Sequence, residues 1–377
     1  MLSKGGLHLR FLHCTPIVSD SPSIVRQMQL EMQAATDMGL DWQVKVFLAK
    51  ELSRGSTVEQ LEDVTRTNRF AKFLLSRVDR RIRTYLLFVR WLRLEAQDFD
   101  AIVLRYIPHS PFLWLFMKRT HVPVVLVHHT NTLKQIELGT NRTSKLRRVL
   151  EVWIGNACIR ESAITVGVTD EVAQLVTTRI HRSDLRTLTY PNGIIAKNER
   201  VGDSRDESPT LLFIAAHFQP WIGLDILIDW LEADPIENIR VQCVGRIPGN
   251  LRARAQALSN FELHGWLEID EIRTLASNAW VGLAPLAMER VGLRESSALK
   301  TRELLAMGLP VAGTCKDVFP SDFPYYREVT GLRELIAFAS SVRFVSRDDV
   351  SCAARPFIDK RLLLQKFRSD LLHELGE

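Results

Sequence analysis

APLAMERVGLRESSALKTRELLAMGLPVAG, residues 284–313, reads as a strand, a loop and a helix in that order. The strand ends near Ala284, and the loop holds Gly292. Glu295 and the small residues Ser296, Ser297 and Ala298 come next. A helix then runs through Met307, with Gly308 and Pro310 as its stop. Glu295 and Glu303 are eight positions apart, a little over two turns, so on one helix they lie toward one side. The first turn of such a helix presents amide N–H groups without intrahelical partners, which is an anion site. Small side chains there let a phosphate approach closely. A carboxylate further along can accept hydrogen bonds from a ribose. The stretch therefore has the chemistry of a nucleotide-sugar site.

Outward from this stretch, short apolar runs alternate with amphipathic ones. Leu7–Cys14 reads as a first strand, Ser23–Met38 as a helix stopped by Gly39, and Val44–Leu48 as a second strand. Asp100–Leu104, Val122–Val127 and Ala163–Val168 read as further strands, with Asp170 capping the helix after the last. The polar run NERVGDSRDESP, residues 198–209, reads as a linker. The alternation then restarts with strands at Leu211–Ala215, Val241–Val244, Glu262–His264 and Val281–Ala284. Strands alternating with helices predict parallel sheets covered on both faces. The expected domains are 1–197 and 210–355, joined by the linker at 198–209. Residues 356–377 form a terminal helix.

The 377 residues are 46% hydrophobic and 25% charged, the balance of a globular chain. No apolar run approaches the roughly 20 residues that span a bilayer, and the first residues lack a signal-peptide pattern. Five scattered cysteines (Cys14, Cys158, Cys243, Cys315 and Cys352) suggest free thiols in a reducing cytoplasm rather than a zinc or disulfide framework. No Gly-x-Gly-x-x-Gly follows a strand, which disfavours an oxidoreductase. The net charge of +5 is unevenly spread. Residues 66–93 carry nine basic side chains and one acid, so the rest of the chain is net acidic.

Glu295, Glu303 and Gly308-Leu309-Pro310-Val311 resemble the donor-site signature of GT-B glycosyltransferases of family 4, Glu, seven residues, Glu, then Gly-x-Pro-Val. Other stretches agree in order. Tyr190-Pro191-Asn192-Gly193-Ile194 resembles the family's Pro-Asn-Gly turn, Val244-Gly245-Arg246 its strand ending in Val-Gly, and His264-Gly265-Trp266-Leu267 its turn near the nucleotide base. The resemblance implies two doubly wound Rossmann-like domains facing a cleft, with the C-terminal helix crossing back to the first. It implies that Glu295 contacts the transferred sugar, that Glu303 binds the ribose, and that the amides of Ser296, Ser297, Ala298, Leu299 and Lys300 hold the diphosphate. Trp266 and Leu267 would lie near the base. His129, after the strand Val122–Val127, would face the donor sugar. Where the family has Gly-Arg and then Lys-Gly, this chain has Ala216-His217 and Ile222-Gly223. His217, in the arginine's place, is a donor-binding candidate, and Arg246, Arg294 and Lys300 are the candidates for the missing positive charge.

The resemblance thus implies a metal-independent enzyme that moves a sugar, with retention, to a glycan or lipid-linked acceptor. No cofactor is implied, because the nucleotide sugar is a substrate, and no nucleic-acid motif accompanies the basic charge. The missing lysine favours an alternative, a non-catalytic homologue acting as a scaffold or partner subunit. The basic stretch repeats apolar residues at Phe70, Leu74, Val78, Ile82, Leu86 and Val89, with Arg77, Arg80, Arg81 and Arg83 between them and Trp91 at a headgroup boundary. It reads either as a surface for an anionic membrane or acceptor, or as a core-packed helix with a solvated arginine face. The expected location is cytoplasmic, or peripheral at the inner face of the membrane.

Overall fold

The computed structural model describes residues 9–17, 21–48, 80–139, 143–196, 201–236 and 238–376. The chain forms two compact units, one of residues 1–190 with 364–377, the other of residues 191–363. The division at Tyr190 falls short of the expected boundary at residue 197. The Pro-Asn-Gly turn is bonded into the second unit: the Ile194 amide donates to the Ile358 carbonyl at 2.8 Å, and the Lys360 amide to the Ile194 carbonyl at 2.7 Å. Of the expected linker, residues 198–200 lie outside the described residues. Residues 201–209 carry no helix or strand, yet they are tied down. The Trp280 indole donates to the Asp206 carbonyl at 2.8 Å, and Arg205 donates to the Val345 carbonyl at 2.7 Å.

The first unit runs β1 (Phe11–Ile17), α1 (Pro22–Asp37), β2 (Trp42–Leu48), α2 (Arg80–Glu95), β3 (Ala101–Arg105), α3 (Pro111–Met117) and β4 (Val124–His128). It continues with α4 (Thr132–Glu137), α5 (Ser144–Leu150), a π turn (Glu151–Gly155), α6 (Asn156–Arg160), β5 (Ile164–Gly167), α7 (Asp170–Ile180) and β6 (Arg186–Thr189). The strands form a parallel sheet in the order β2-β1-β3-β4-β5-β6. β1 starts at Phe11, later than the expected Leu7, and Leu7 and His8 lie outside the described residues. Thr169, not Asp170, caps α7: its hydroxyl accepts from the Val172 amide at 3.2 Å.

Glu31, on α1, is the polar hub of one face of this sheet. It is 2% exposed and accepts from the Trp42 indole and the Tyr190 hydroxyl, each at 2.9 Å, and lies 2.5 Å from His13 Nδ1. A buried carboxylate is tolerated only with such donors. On the other face, α2 buries Phe88, Val89, Trp91 and Leu92. Trp91 packs against Phe47 and Phe88, with ring centroids 5.9 and 5.7 Å away. The headgroup position expected for Trp91 is therefore wrong, because its indole is core.

The second unit runs β7 (Thr210–His217), α8 (Leu224–Ala233), β8 (Arg240–Arg246), α9 (Gly249–Gln256), β9 (Phe261–Gly265), α10 (Ile269–Asn278), β10 (Val281–Leu283) and β11 (Glu295–Ser296). Then come α11 (Leu299–Ala306), β12 (Val311–Gly313), β13 (Lys316–Asp317), β14 (Tyr326–Glu328), α12 (Leu332–Ser341), α13 (Arg347–Ile358) and α14 (Lys360–Leu375). The main sheet is parallel in the order β14-β12-β10-β7-β8-β9, with β11 and β13 paired apart from it. Strand order reverses between β7 and β10, and doubly wound sheets bind ligands outside the carboxyl ends of strands at that switch. α14 starts in the second unit, but its residues from Leu364 onward belong to the first. Its buried line is Leu364, Phe367 and Leu371. Phe367 stacks on Tyr190 at 4.2 Å and meets Trp42 edge-on at 5.8 Å.

Candidate functional site

At the carboxyl edge of the second sheet, His217 and Arg246 end β7 and β8 in register, and both are exposed. Their closeness depends on Gly245. Its φ is +128°, and a Cβ there would stand 1.6 Å from the Ala215 carbonyl oxygen. Any side chain would push β8 away from β7 and carry Arg246 with it. At the end of β9, Trp266 is 64% exposed and Leu267 is half-buried.

The stretch after β10 holds a loop, a short strand and then the expected helix. Glu295 and Ser296 form β11, paired with Lys316 and Asp317, and α11 begins only at Leu299. Glu295 and Glu303 therefore do not share a helix face. The two-residue pairing absorbs Glu295, which is half-buried at the sheet edge, leaving Ser297 and Ala298 to turn the chain. Ala298 is the N-cap. It makes no side-chain cap bond, and the first turn of α11 holds no acid. At α10, by contrast, the Glu271 carboxylate reaches back to the Glu268 amide at 2.8 Å. An uncapped N-terminus with small residues before it leaves amides for an anion.

Several contacts fix this turn. Ser296 and Ser297 are buried, and Ser297 Oγ accepts from the Asn192 amide at 2.9 Å. The Asn192 side chain donates to the Ser297 carbonyl at 2.6 Å. Lys300 Nζ donates to Glu303 Oε2 at 2.7 Å, and the glutamate is 8% exposed. Lys300 is half-buried and already faces a carboxylate, so its charge is partly spent. Arg302 is fully buried and grips Asp317 with two bonds, at 2.7 and 2.5 Å. It also donates to the carbonyls of Asn192 and Ala298, at 3.2 and 3.3 Å. This residue was missed in the sequence, where an arginine one position before Glu303 reads as surface charge. Gly308 closes α11: the Leu309 and Gly308 amides donate to the carbonyls of Leu304 and Leu305, each at 3.0 Å, a Schellman end. Gly308 has φ +75°, and its Cβ site lies 2.5 Å from Arg347.

The position of the family's lysine is apolar in substance. Ile222 packs against the core of the second unit, and its carbonyl accepts from the Leu286 amide at 2.9 Å. The neighbouring cation, Arg290, is committed to Asp225 at 2.7 and 3.0 Å and to the Pro220 carbonyl at 2.7 Å. It holds Asp225 below the usual carboxylate range.

In the first unit, His129 follows β4 and is half-buried. Its neighbour His128 is 2% exposed and stacks on Tyr106 at 4.3 Å. Burial, aided by Arg179, pushes His128 down to about 3, so its imidazole is neutral. Beneath lies Glu151, fully buried in the π turn. It accepts from the Tyr106 hydroxyl and the His109 amide at 2.6 Å each, and from Arg179 at 2.8 Å. π turns recur at functional sites, and this one ties the segments after β3 and β4 together. Sequence reading missed Glu151 because a single glutamate among apolar residues carries no spacing signal. Of the expected membrane arginines, Arg77 lies outside the described residues, as does the rest of 66–79. Arg80 and Arg81 begin α2, their side chains outside the described set, and Arg83 is half-buried.

Among the described residues, no group of three or more His, Cys, Asp and Glu is placed to hold a metal ion. No helix of theirs is long and apolar enough to cross a membrane.

Two parallel six-stranded α/β units of this topology define the GT-B class, and this chain has that fold. The fold is shared with a lipopolysaccharide outer core galactosyltransferase, WaaB, in its apo form (TM-score 0.64, 11% identity, 97% of this chain and 99% of that one). It is shared with sucrose-phosphate synthase from Thermosynechococcus elongatus (0.62, 14%, 98% and 100%). It is shared too with Anabaena HepE, a structure in complex with UDP-glucose (0.60, 13%, 97% and 100%). Residues 208–346 match the model of the family described as Glycosyl transferases group 1. A comparison with curated proteins returns no significant match.

Proposed function

We propose that this chain is a glycosyltransferase that moves a sugar from a nucleotide-sugar donor to a hydroxyl of a glycan or lipid-linked glycan. Retention of anomeric configuration and a place in cell-surface polysaccharide or glycolipid synthesis belong to the same reading, as does independence of metal ions. What carries it is the uncapped start of α11, set on the same sheet edge as His217 and Arg246. The amides there and the Arg246 guanidinium would stabilise the departing diphosphate, the largest charge that develops in the reaction. Glu303 would accept from the ribose hydroxyls, with Lys300 fixing its carboxylate. Glu295 would contact the sugar, and Trp266 with Leu267 the base. His129 keeps the role at the donor sugar that the resemblance gives it. The UDP-glucose held by HepE makes uridine nucleotides the first donors to try.

Calorimetric titration of the full chain with nucleoside diphosphates and their sugars tests this. One nucleotide should bind, and Glu303→Ala should weaken it at least tenfold; an unchanged affinity would remove Glu303 from the site. Binding of none would favour the second reading, a non-catalytic partner subunit. That reading rests on Ile222, a half-buried apolar residue packed against the core where the resembled family has a lysine.

A further inference from the structure

The least explained surface of the molecule is α5. A helix ordinarily buries one stripe of side chains, yet α5 buries none. Leu146 is 61% exposed, Val149 53%, Leu150 37% and, in the π turn, Trp153 76%. These positions stand at i, i+3, i+4 and i+7, one face of a helix. The segment is held from its far end instead. Glu151 and Gly155 are buried, and Cys158 and Ile159 on α6 join the core. Leu138, after the neighbouring α4, adds an apolar side chain 43% exposed. The surrounding charge is basic: Lys134, Lys145, Arg147 and Arg148. Glu137 on α4 is bonded to Arg148 at 2.7 Å and Lys134 at 3.4 Å. Glu151 is turned inward to Arg179.

We infer that this face of the first unit, Leu146, Val149, Leu150 and Trp153 with the basic residues around them, docks on an anionic lipid bilayer. An apolar ridge flanked by lysine and arginine and carrying a tryptophan matches the headgroup boundary, where the ridge enters the acyl region and the cations meet lipid phosphates. A second copy of the chain fits less well, since pairing this face with itself brings like charges together. The surface inferred here is α5, separate from the 66–93 stretch, whose Trp91 is core. The inference goes beyond sugar transfer, as it concerns where the enzyme sits.

The test is sedimentation of the full chain with vesicles of phosphatidylcholine alone, or with about a quarter phosphatidylglycerol, at about 0.1 M salt, where exposed charges act over about 10 Å. The chain should partition onto the anionic vesicles. Leu146→Ser with Trp153→Ser should lower that partition at least tenfold, and Lys145→Ser with Arg147→Ser several-fold on anionic vesicles only. Nucleotide titration of the same variants should match the parent, which separates lost docking from lost folding and from failure of the donor site. Equal sedimentation of parent and variants, or no binding by the parent, would overturn the proposal. So would a concentration-dependent dimer that the serine variants abolish.

Discussion

Among the described residues, each unit buries a carboxylate–guanidinium pair near the carboxyl edge of its sheet, and the two pairs are built differently. Arg302 and Asp317 in the second unit are wholly enclosed. Burial raises the Asp317 carboxyl above its ordinary range, against the lowering by Arg302 and the Val318 amide. Glu151 in the first unit is as deeply enclosed, but there burial is outweighed by bonds from His109, Arg179 and Tyr106, and its carboxyl is lowered. Each carboxylate accepts three hydrogen bonds, but Asp317 takes two of them from one guanidinium, whereas Glu151 takes one from each of three residues.

Removing Arg302, which supplies two of the three donors to Asp317, should therefore cost more. Arg302→Met leaves Asp317 without its main partner and frees Asn192 and the start of α11, and it should destabilise the second unit by about 3–5 kcal/mol. Denaturant unfolding would measure it, and a loss below about 1 kcal/mol would show that the pair is replaceable. Glu151→Gln keeps one acceptor oxygen, for the Tyr106 hydroxyl or for the His109 amide on the other oxygen but not for both, so about 1–3 kcal/mol is expected, borne by the first unit. A loss equal to that of Arg302→Met would erase the contrast. The smallest effect concerns pH. His128 is held near 3 in the fold, against about 6.5 in the unfolded chain. Below pH 6.5 the unfolded chain takes up a proton that the fold refuses, so stability falls as pH falls, by at most about 1.4 kcal/mol per unit. His128→Phe should flatten the decline in melting temperature between about pH 6.5 and 5; parallel curves for parent and variant would sink the assignment.

The main strands were legible because they are apolar runs of the right length between turn residues, as Leu211–Ala215 and Val241–Val244 show. The helix after Ala298 was legible from the small residues before it and Gly308 after it, but the strand at Glu295 was not. A two-residue pairing with Lys316 and Asp317 takes Glu295 out of the helix, and such a distant pairing leaves no local mark. Arg302, Glu151 and Glu31 were invisible for the same reason. Their partners lie 15, 28 and 159 positions away, at Asp317, Arg179 and Tyr190, so charge alone suggests a solvated side chain. Trp91 failed differently. An aromatic beside arginines suits either a membrane boundary or a core, and only Phe47 and Phe88 decide between them.

The first unit includes residues 364–377, while the second is drawn from 191–363 alone. On the ribosome this reverses the usual order of completion, in which the N-terminal domain finishes first. The second unit has all its residues while the rings of Trp42 and Tyr190 still wait for Phe367, so the unit begun first is the one finished last.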